Sequence, residues 1–136
     1  MTLPVASAAL NNKQERLLRL LRQADTELTG QQVHALLRQS DLPMGLATVY
    51  RHLRLLQQKG LLRCRHLPNG EALYAPTERD EHHLTCVDCG ATTLLEQCPM
   101  HNVHFHGEQA TGYRLLFHTL EFYGLCSSCQ ERQQNT

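Results

Sequence analysis

The sequence predicts an α+β protein of two small domains, an N-terminal winged helix-turn-helix followed by a domain with a four-cysteine zinc site. Three amphipathic helical patterns precede two short strand-like segments, which is the element order of a winged helix. Two Cys-x-x-Cys motifs, Cys86–Cys89 and Cys126–Cys129, then flank 36 residues. Charge divides similarly: residues 1–77 hold ten Lys/Arg and five Asp/Glu, a net charge of +5, and residues 78–136 carry −5. We therefore expect the domain boundary between these two segments.

This composition narrows the class of protein. A basic half joined to an acidic half that is rich in His and Cys indicates a polyanion-binding module fused to a cation-binding module. The N-terminus shows no secretion signal, and no apolar run reaches membrane-spanning length, so we expect a cytoplasmic protein with no membrane partner. In that reducing compartment the six cysteines are expected to be thiols or metal ligands rather than disulfides.

Apolar residues in the basic half follow the helical period. The first helix has its apolar face at Leu17, Leu20, Leu21, Ala24 and Leu28. Thr29, with Gln32 three residues later, has the form of a capping box and begins a second, shorter helix. A third helix is predicted from about Leu46 to Lys59, ended by Gly60, since glycine suits the left-handed conformation of a helix C-terminus.

The third helix is predicted to be the DNA-recognition helix. Its apolar side comprises Leu46, Val49, Leu53 and Leu56. Its polar side comprises Thr48, Arg51, His52, Arg54 and Gln58, with Tyr50 at the margin. In a winged helix this element enters the major groove, where Arg can bind guanine and Thr or Tyr can reach base edges or phosphates. The candidate DNA contacts are Thr48, Tyr50, Arg51 and Arg54.

The wing is predicted as a hairpin of two strand-like segments, 61–65 and 71–74. They flank Pro68-Asn69-Gly70, in which Asn-Gly is the favoured two-residue hairpin turn. Arg63 and Arg65 at its base would add positive charge for DNA. The alternative is a small helical domain whose exposed arginines are merely solvated.

The two Cys-x-x-Cys motifs supply four thiolates, the ligand set of a closed tetrahedral zinc site. The alternative is a pair of redox or disulfide motifs. Neither motif lies at the strand-to-helix turn of a βαβ pattern, so the structural zinc site is favoured.

Several motifs together resemble the ferric uptake regulator family. They are Leu46-Ala47-Thr48-Val49-Tyr50-Arg51-His52-Leu53, Gly60-Leu61, His82-His83-Leu84-Thr85-Cys86 and Tyr123-Gly124-Leu125-Cys126. The resemblance covers roughly residues 12–130. It implies a homodimeric, metal-responsive transcription factor that binds double-stranded operator DNA, with a C-terminal α/β dimerisation domain. It also implies that Tyr50 and Arg51 contact DNA, that the four cysteines hold structural zinc, and that a strand over Tyr113–Tyr123 forms the dimer interface.

The same resemblance implies two further metal sites. Glu81 and His83 match ligands of a regulatory site at the hinge between the domains. The third site would draw on Asp80, His82, His101 and His118. No role follows for Cys98, His104 or His106.

We predict that Cys64 and His66 complete the hinge site, because residues two apart on a strand share one face. A Cys/His ligand set suits zinc better than iron or manganese. The chain is therefore interpreted as a regulator similar to zinc uptake regulators, with Zn²⁺ in structural and regulatory sites. The alternatives are that Cys64 is a buried wing residue and that His66 is an exposed turn residue.

Two rival functions stay open at this point. One is an iron, manganese or peroxide sensor on the same scaffold, and the other is a cytosolic zinc-ribbon redox or metal-carrier protein. The sequence has no Ser/His/Asp order, no phosphate-binding Gly loop and no His-Glu-x-x-His motif, so we expect neither an enzyme nor an organic small-molecule substrate.

Overall fold

The computed structural model describes residues 10–41, 43–79, 81–100 and 106–135. They form two compact units, the first within Met1–Arg79 and Leu115–His118, and the second within Asp80–Arg114 and Thr119–Thr136. The change of unit at residues 79 and 80 lies two residues beyond the predicted boundary. Leu115–His118, which the sequence assigned to the second domain, belongs to the first unit.

The first unit contains the predicted three helices and wing. Its elements are α1 (Asn12–Gln23), β1 (Leu28–Thr29), α2 (Gly30–Arg38), α3 (Leu46–Gln58), β2 (Leu62–His66) and β3 (Ala72–Pro76). The strands form an antiparallel sheet in the order β1-β3-β2. The winged-helix prediction is confirmed, although β1 was missed because a two-residue strand has no periodicity to detect.

Local capping fixes the helix ends. The Thr29 hydroxyl accepts the Gln32 N–H at 3.1 Å, and the Gln32 side chain accepts the Thr29 N–H at 2.8 Å, so the predicted capping box is confirmed. Asn11 and Gln14 form a second such box at α1. At the end of α3, Gly60 has φ 77° and its N–H donates to the Gln57 carbonyl. Glycine is needed there because other residues are strained at positive φ.

A leucine-rich core joins the three helices to the sheet. Its fully buried members include Leu17, Leu21, Val33, Leu37, Val49, Leu53, Leu56 and Leu62. His52 is also buried, with 5% of its surface exposed. Its predicted place on the polar side was wrong, because His52 lies three residues after Val49 and four before Leu56, on the stripe that packs inward.

The wing differs from its prediction in two respects. The turn is a three-residue loop, with Gly70 at φ 86° and the Gly70 N–H donating to the Leu67 carbonyl at 2.8 Å. Three-residue hairpin loops end on a residue in the left-handed conformation, which is usually glycine. Since Asn-Gly suits both kinds of loop, the sequence alone did not distinguish a three-residue loop from a two-residue turn. Arg63 and Arg65 are buried rather than presented to DNA.

The second unit is a smaller α/β unit. It contains β4 (His82–Cys86), β5 (Thr92–Leu95), α4 (Gly107–Thr111), β6 (Glu121–Gly124) and α5 (Ser127–Gln134). The sheet order is β5-β4-β6, with β4 antiparallel to β5 and parallel to β6. Across the described residues, no helix is both long and apolar enough to span a membrane.

The predicted strand over Tyr113–Tyr123 is wrong for most of its length, since only Glu121–Gly124 is a strand. An apolar run favours a strand when both faces are covered. Tyr113 is 78% exposed, and Leu115 is 45% exposed. Leu116 instead packs beside Gly60, with its Cδ2 3.4 Å from the position of a Cβ built on that glycine.

Candidate metal centre and nucleic-acid interface

The second unit brings the four predicted cysteines together. Their sulfurs all lie within 4.8 Å of one another, and those of Cys89 and Cys126 are 3.8 Å apart. Four sulfurs placed about 2.3 Å from a shared zinc at tetrahedral corners would be roughly 3.8 Å apart. The donor set and its spacing therefore fit a closed zinc site.

The sheet places the two cysteine motifs side by side. Cys86 ends β4 and pairs with Gly124, which ends β6, and the Val87 N–H donates to the Gly124 carbonyl at 2.9 Å. The first motif turns back at Gly90, at φ 80°, whose N–H donates to the Cys86 carbonyl. Because β4 and β6 run parallel, both strands deliver a cysteine at the same edge.

The protein also sets the charge of these sulfurs. Backbone N–H donors, first that of Cys126 at 3.4 Å and then that of Cys89, lower the pKa of Cys86 to about 6. Burial raises the pKa of Cys129 to about 12. The Arg132 guanidinium donates to the Cys129 sulfur at 2.7 Å and lies 4.0 Å from the Asp88 carboxylate. This cation offsets part of the negative charge that four thiolates leave around a divalent ion.

Two residue pairs of the second unit are further candidate metal ligands. Glu81 and His83, predicted hinge ligands, place ligand atoms within 4.8 Å of each other in the second unit. His82, predicted for the third site, is buried, and its ligand nitrogen lies within 4.8 Å of the Cys98 sulfur. Cys98 was missed as a candidate, since its contact depends on the pairing of β4 with β5, which places Leu95 opposite His82.

The remaining predicted ligands belong to the first unit or lie outside the described residues. Asp80 and His101 are not described. His118 is exposed and belongs to the Leu115–His118 segment of the first unit. Cys64 and His66 both lie on β2 of the first unit. The hinge and third ligand sets therefore stay predictions.

Cys64 packs against the core of its own unit. Tyr74 pairs with it across the hairpin, and the Tyr74 hydroxyl hydrogen-bonds to its sulfur. Burial raises the pKa of the Cys64 thiol. This environment agrees with the alternative in which Cys64 is a buried wing residue and not a metal ligand. His66 is exposed, which agrees with the alternative in which it is an exposed turn residue. A metal at Cys64 would have to displace a proton that burial holds in place.

A buried ion cluster occupies the opposite face of β2. Arg65 Nε lies 2.8 Å and 2.9 Å from the two carboxylate oxygens of Glu27, and Arg63 Nη1 lies 3.8 Å from one of them. Arg63 Nε also donates to the Arg79 carbonyl at 2.9 Å. These contacts correct the prediction that Arg63 and Arg65 serve DNA, since both side chains are buried and contact the Glu27 carboxylate inside the unit.

The outer face of α3 presents the predicted DNA contacts. Arg51 and Arg54 are exposed, Tyr50 is 40% exposed, and Thr48 is partly buried. Two arginines three residues apart share a helix face, so both can approach one groove.

Comparison with known proteins gives a consistent result. Residues 7–123 match the model of the ferric uptake regulator family. A ferric uptake regulation protein of Neisseria meningitidis is 33% identical over 110 residues, covering 80% of this chain and 76% of the relative. A zinc uptake regulation protein of Mycobacterium tuberculosis is 35% identical over 115 residues, covering 82% of this chain and 86% of the relative.

Solved structures share the fold. A ferric uptake regulator from Pseudomonas aeruginosa, solved with manganese, aligns with a TM-score of 0.67 at 22% identity and covers 88% of this chain and 90% of that one. One from Francisella tularensis, solved with iron, aligns with a TM-score of 0.61 at 21% identity and covers 95% and 99%.

Proposed function

Since this chain belongs to the ferric uptake regulator family and is a metal-responsive transcription regulator rather than an enzyme, we propose that it senses zinc. Relatives named for iron and for zinc are similarly identical to the chain, at 33% and 35%. The choice of metal therefore rests on donor chemistry. Cys98 beside the buried His82 carries the proposal, because thiolate and imidazole suit zinc better than manganese.

The regulatory ligands we assign are two pairs, Glu81 with His83 and His82 with Cys98. Cys64 and His66 of the wing are further candidates. Metal binding raises the fraction of molecules competent to bind DNA, so apparent affinity rises with that fraction. Because the ligands must lose protons to bind, the response weakens at acid pH.

The partner is double-stranded operator DNA, contacted by Thr48, Tyr50, Arg51 and Arg54 of α3. The exposed basic face of this helix supports that assignment, since Arg side chains supply both phosphate contacts and readout of guanine. The protein acts in the cytoplasm, where operator DNA lies.

A homodimer is the proposed form. Leu84 and Phe122 are partners across β4 and β6, and each exposes more than a third of its surface. Because they are paired, Leu84 and Phe122 share one face of the sheet. Exposed apolar residues that share a sheet face are typical of a surface that a second copy covers.

The test is metal-dependent binding to a DNA duplex selected from a random-sequence pool. Fluorescence anisotropy would compare Zn²⁺, Mn²⁺ and Fe²⁺ as activators of the wild type, His83→Ala, Cys98→Ser and Cys64→Ser. We expect zinc to raise DNA affinity at the lowest free concentration and His83→Ala to abolish the response. Cys98→Ser should narrow the preference for zinc over manganese. Activation by iron or manganese at concentrations where zinc has no effect would favour the rival sensor and contradict the proposal.

A further inference from the structure

The ring of Tyr50 on α3 occupies the place where residue 30 would have a side chain. Gly30 is the first residue of α2, next to the capping residue Thr29. A Cβ built on Gly30 would lie 2.4 Å from Tyr50 Cε1, 2.5 Å from Cζ and 2.8 Å from the hydroxyl oxygen. Carbon atoms in favourable contact are about 3.5–4.0 Å apart, so the two groups cannot share this space.

Backbone conformation does not explain the glycine. Gly60, Gly70, Gly90 and Gly112 have positive φ, and Gly30 is not among them. Position 30 is the start of a regular helix, where alanine is a better helix former than glycine. The close approach of the Tyr50 ring is what requires glycine here.

The Tyr50 ring lies against the backbone of α2 on one side, where Gly30 leaves it room. On its other side the ring is open, since Tyr50 leaves 40% of its surface exposed. A side chain that is packed on one side and exposed on the other presents its free edge in a fixed direction.

We propose that Gly30 is a positioning residue for DNA recognition, which gives the Tyr50 ring the space that sets its orientation toward DNA. The proposal rests on the proposed function, in which Tyr50 contacts DNA. The atoms that an added methyl group would meet are at the far end of the Tyr50 side chain. Gly30→Ala would therefore rotate this ring away and leave the helices in place.

The test is a double-mutant cycle of Gly30→Ala and Tyr50→Ala, with DNA affinity measured by anisotropy in saturating zinc. Gly30→Ala should weaken binding by about 5- to 10-fold, the size of one lost contact. In the Tyr50→Ala background the same change should alter affinity by less than about twofold, because no ring remains to be displaced. In thermal melting followed by circular dichroism, the melting temperature of Gly30→Ala should equal that of the wild type or lie slightly above it.

Each other outcome overturns the proposal in a recognisable way. If Tyr50→Ala weakens binding and Gly30→Ala does not, the positioning role fails and the DNA contact stands. An equal loss from Gly30→Ala in both backgrounds, or a lower melting temperature in both, would show that Gly30 serves the fold. If Tyr50→Ala leaves affinity unchanged, the DNA contact in the proposed function fails, and the positioning role fails with it.

Discussion

The two units differ in what holds them together. In the first unit, leucines and valines from three helices form a continuous buried core, from Leu17 to Tyr74. Among the described residues of the second unit, the buried apolar side chains are those of Cys86 and Cys129. A small unit with so little buried apolar surface needs another source of stability. The comparison indicates that the winged helix is stabilised mainly by the packing of its own side chains, whereas we expect the second unit to depend on a bound metal.

Loss of a zinc ligand should have the largest effect. Cys129→Ser removes a fully buried sulfur, and structural zinc contributes about 10–16 kcal/mol of apparent binding free energy in small zinc domains. We expect hydrogen exchange to show lost protection in β4 and β6 and unchanged protection in α1 and α3. Cys98→Ser, outside the four-cysteine cluster, is the matched control and should keep this zinc. Full protection of β4 in Cys129→Ser would contradict the dependence on metal.

The buried ion cluster of the first unit should give the next largest effect. Glu27→Ala removes the carboxylate that contacts the buried Arg63 and Arg65, and removing one partner of a buried ion pair typically costs about 3–5 kcal/mol. Urea unfolding of the first unit, followed by the helical signal, would measure it. Glu78→Ala is the control, because its pair with Arg22 is about half exposed on both side chains and should contribute less than about 1 kcal/mol. Similar losses in both variants would show that burial of the Glu27 cluster does not matter.

Arg132 allows a milder change at the zinc site. Arg132→Ala removes the donor to the Cys129 sulfur. Mutation of a residue that hydrogen-bonds to a metal ligand typically lowers metal affinity by about 10- to 100-fold. We expect a chelator to extract zinc about ten times faster than from the wild type, measured by the absorbance of the zinc–chelator complex. Arg132→Lys, which keeps the charge, should lie between the two. Identical extraction rates for all three proteins would show that Arg132 does not stabilise the zinc site.

His52 should make the first unit weakly sensitive to acid. Burial, then the charges of Arg51 and Lys13, lower its pKa below 6.5. The unfolded chain therefore takes up a proton first as pH falls, so stability is complete above about pH 6.5 and declines below it, down to the folded pKa. Urea unfolding at pH 7.5 and 5.5 should show a smaller decline for His52→Leu than for the wild type. His66→Ala, at an exposed position, is the control, and an unchanged decline in His52→Leu would rule out this origin.

Local patterns predicted the first unit well. The Thr29–Gln32 box, the Gly60 helix end and the apolar faces of α1 and α3 are encoded within a few residues, so periodicity and capping chemistry identify them. Arg63 and Arg65 were misplaced, because their partner Glu27 is distant in sequence. His52 was misplaced because its residue type suggested the polar side of α3, although its spacing from Val49 and Leu56 puts it on the buried side.

In the second unit, the sequence predicted mainly the features that depend on the spacing of metal-binding residues. The two Cys-x-x-Cys motifs predicted the four-cysteine cluster, because tetrahedral thiolate binding has a recognisable ligand spacing. The contact between His82 and Cys98 depends on strand pairing, and the apolar run beginning at Tyr113 gave a false strand signal. Neither depends on local sequence alone, so neither could be read from it.

The most direct test of the account is a titration of DNA binding against buffered free zinc, starting from protein that holds zinc only in its four-cysteine site. We predict a rise in DNA affinity of at least about tenfold as a second zinc binds, with the helical signal of the first unit unchanged. DNA affinity that stays constant across the titration, or that rises only as the four-cysteine site fills, would contradict the proposal that zinc acts as a signal.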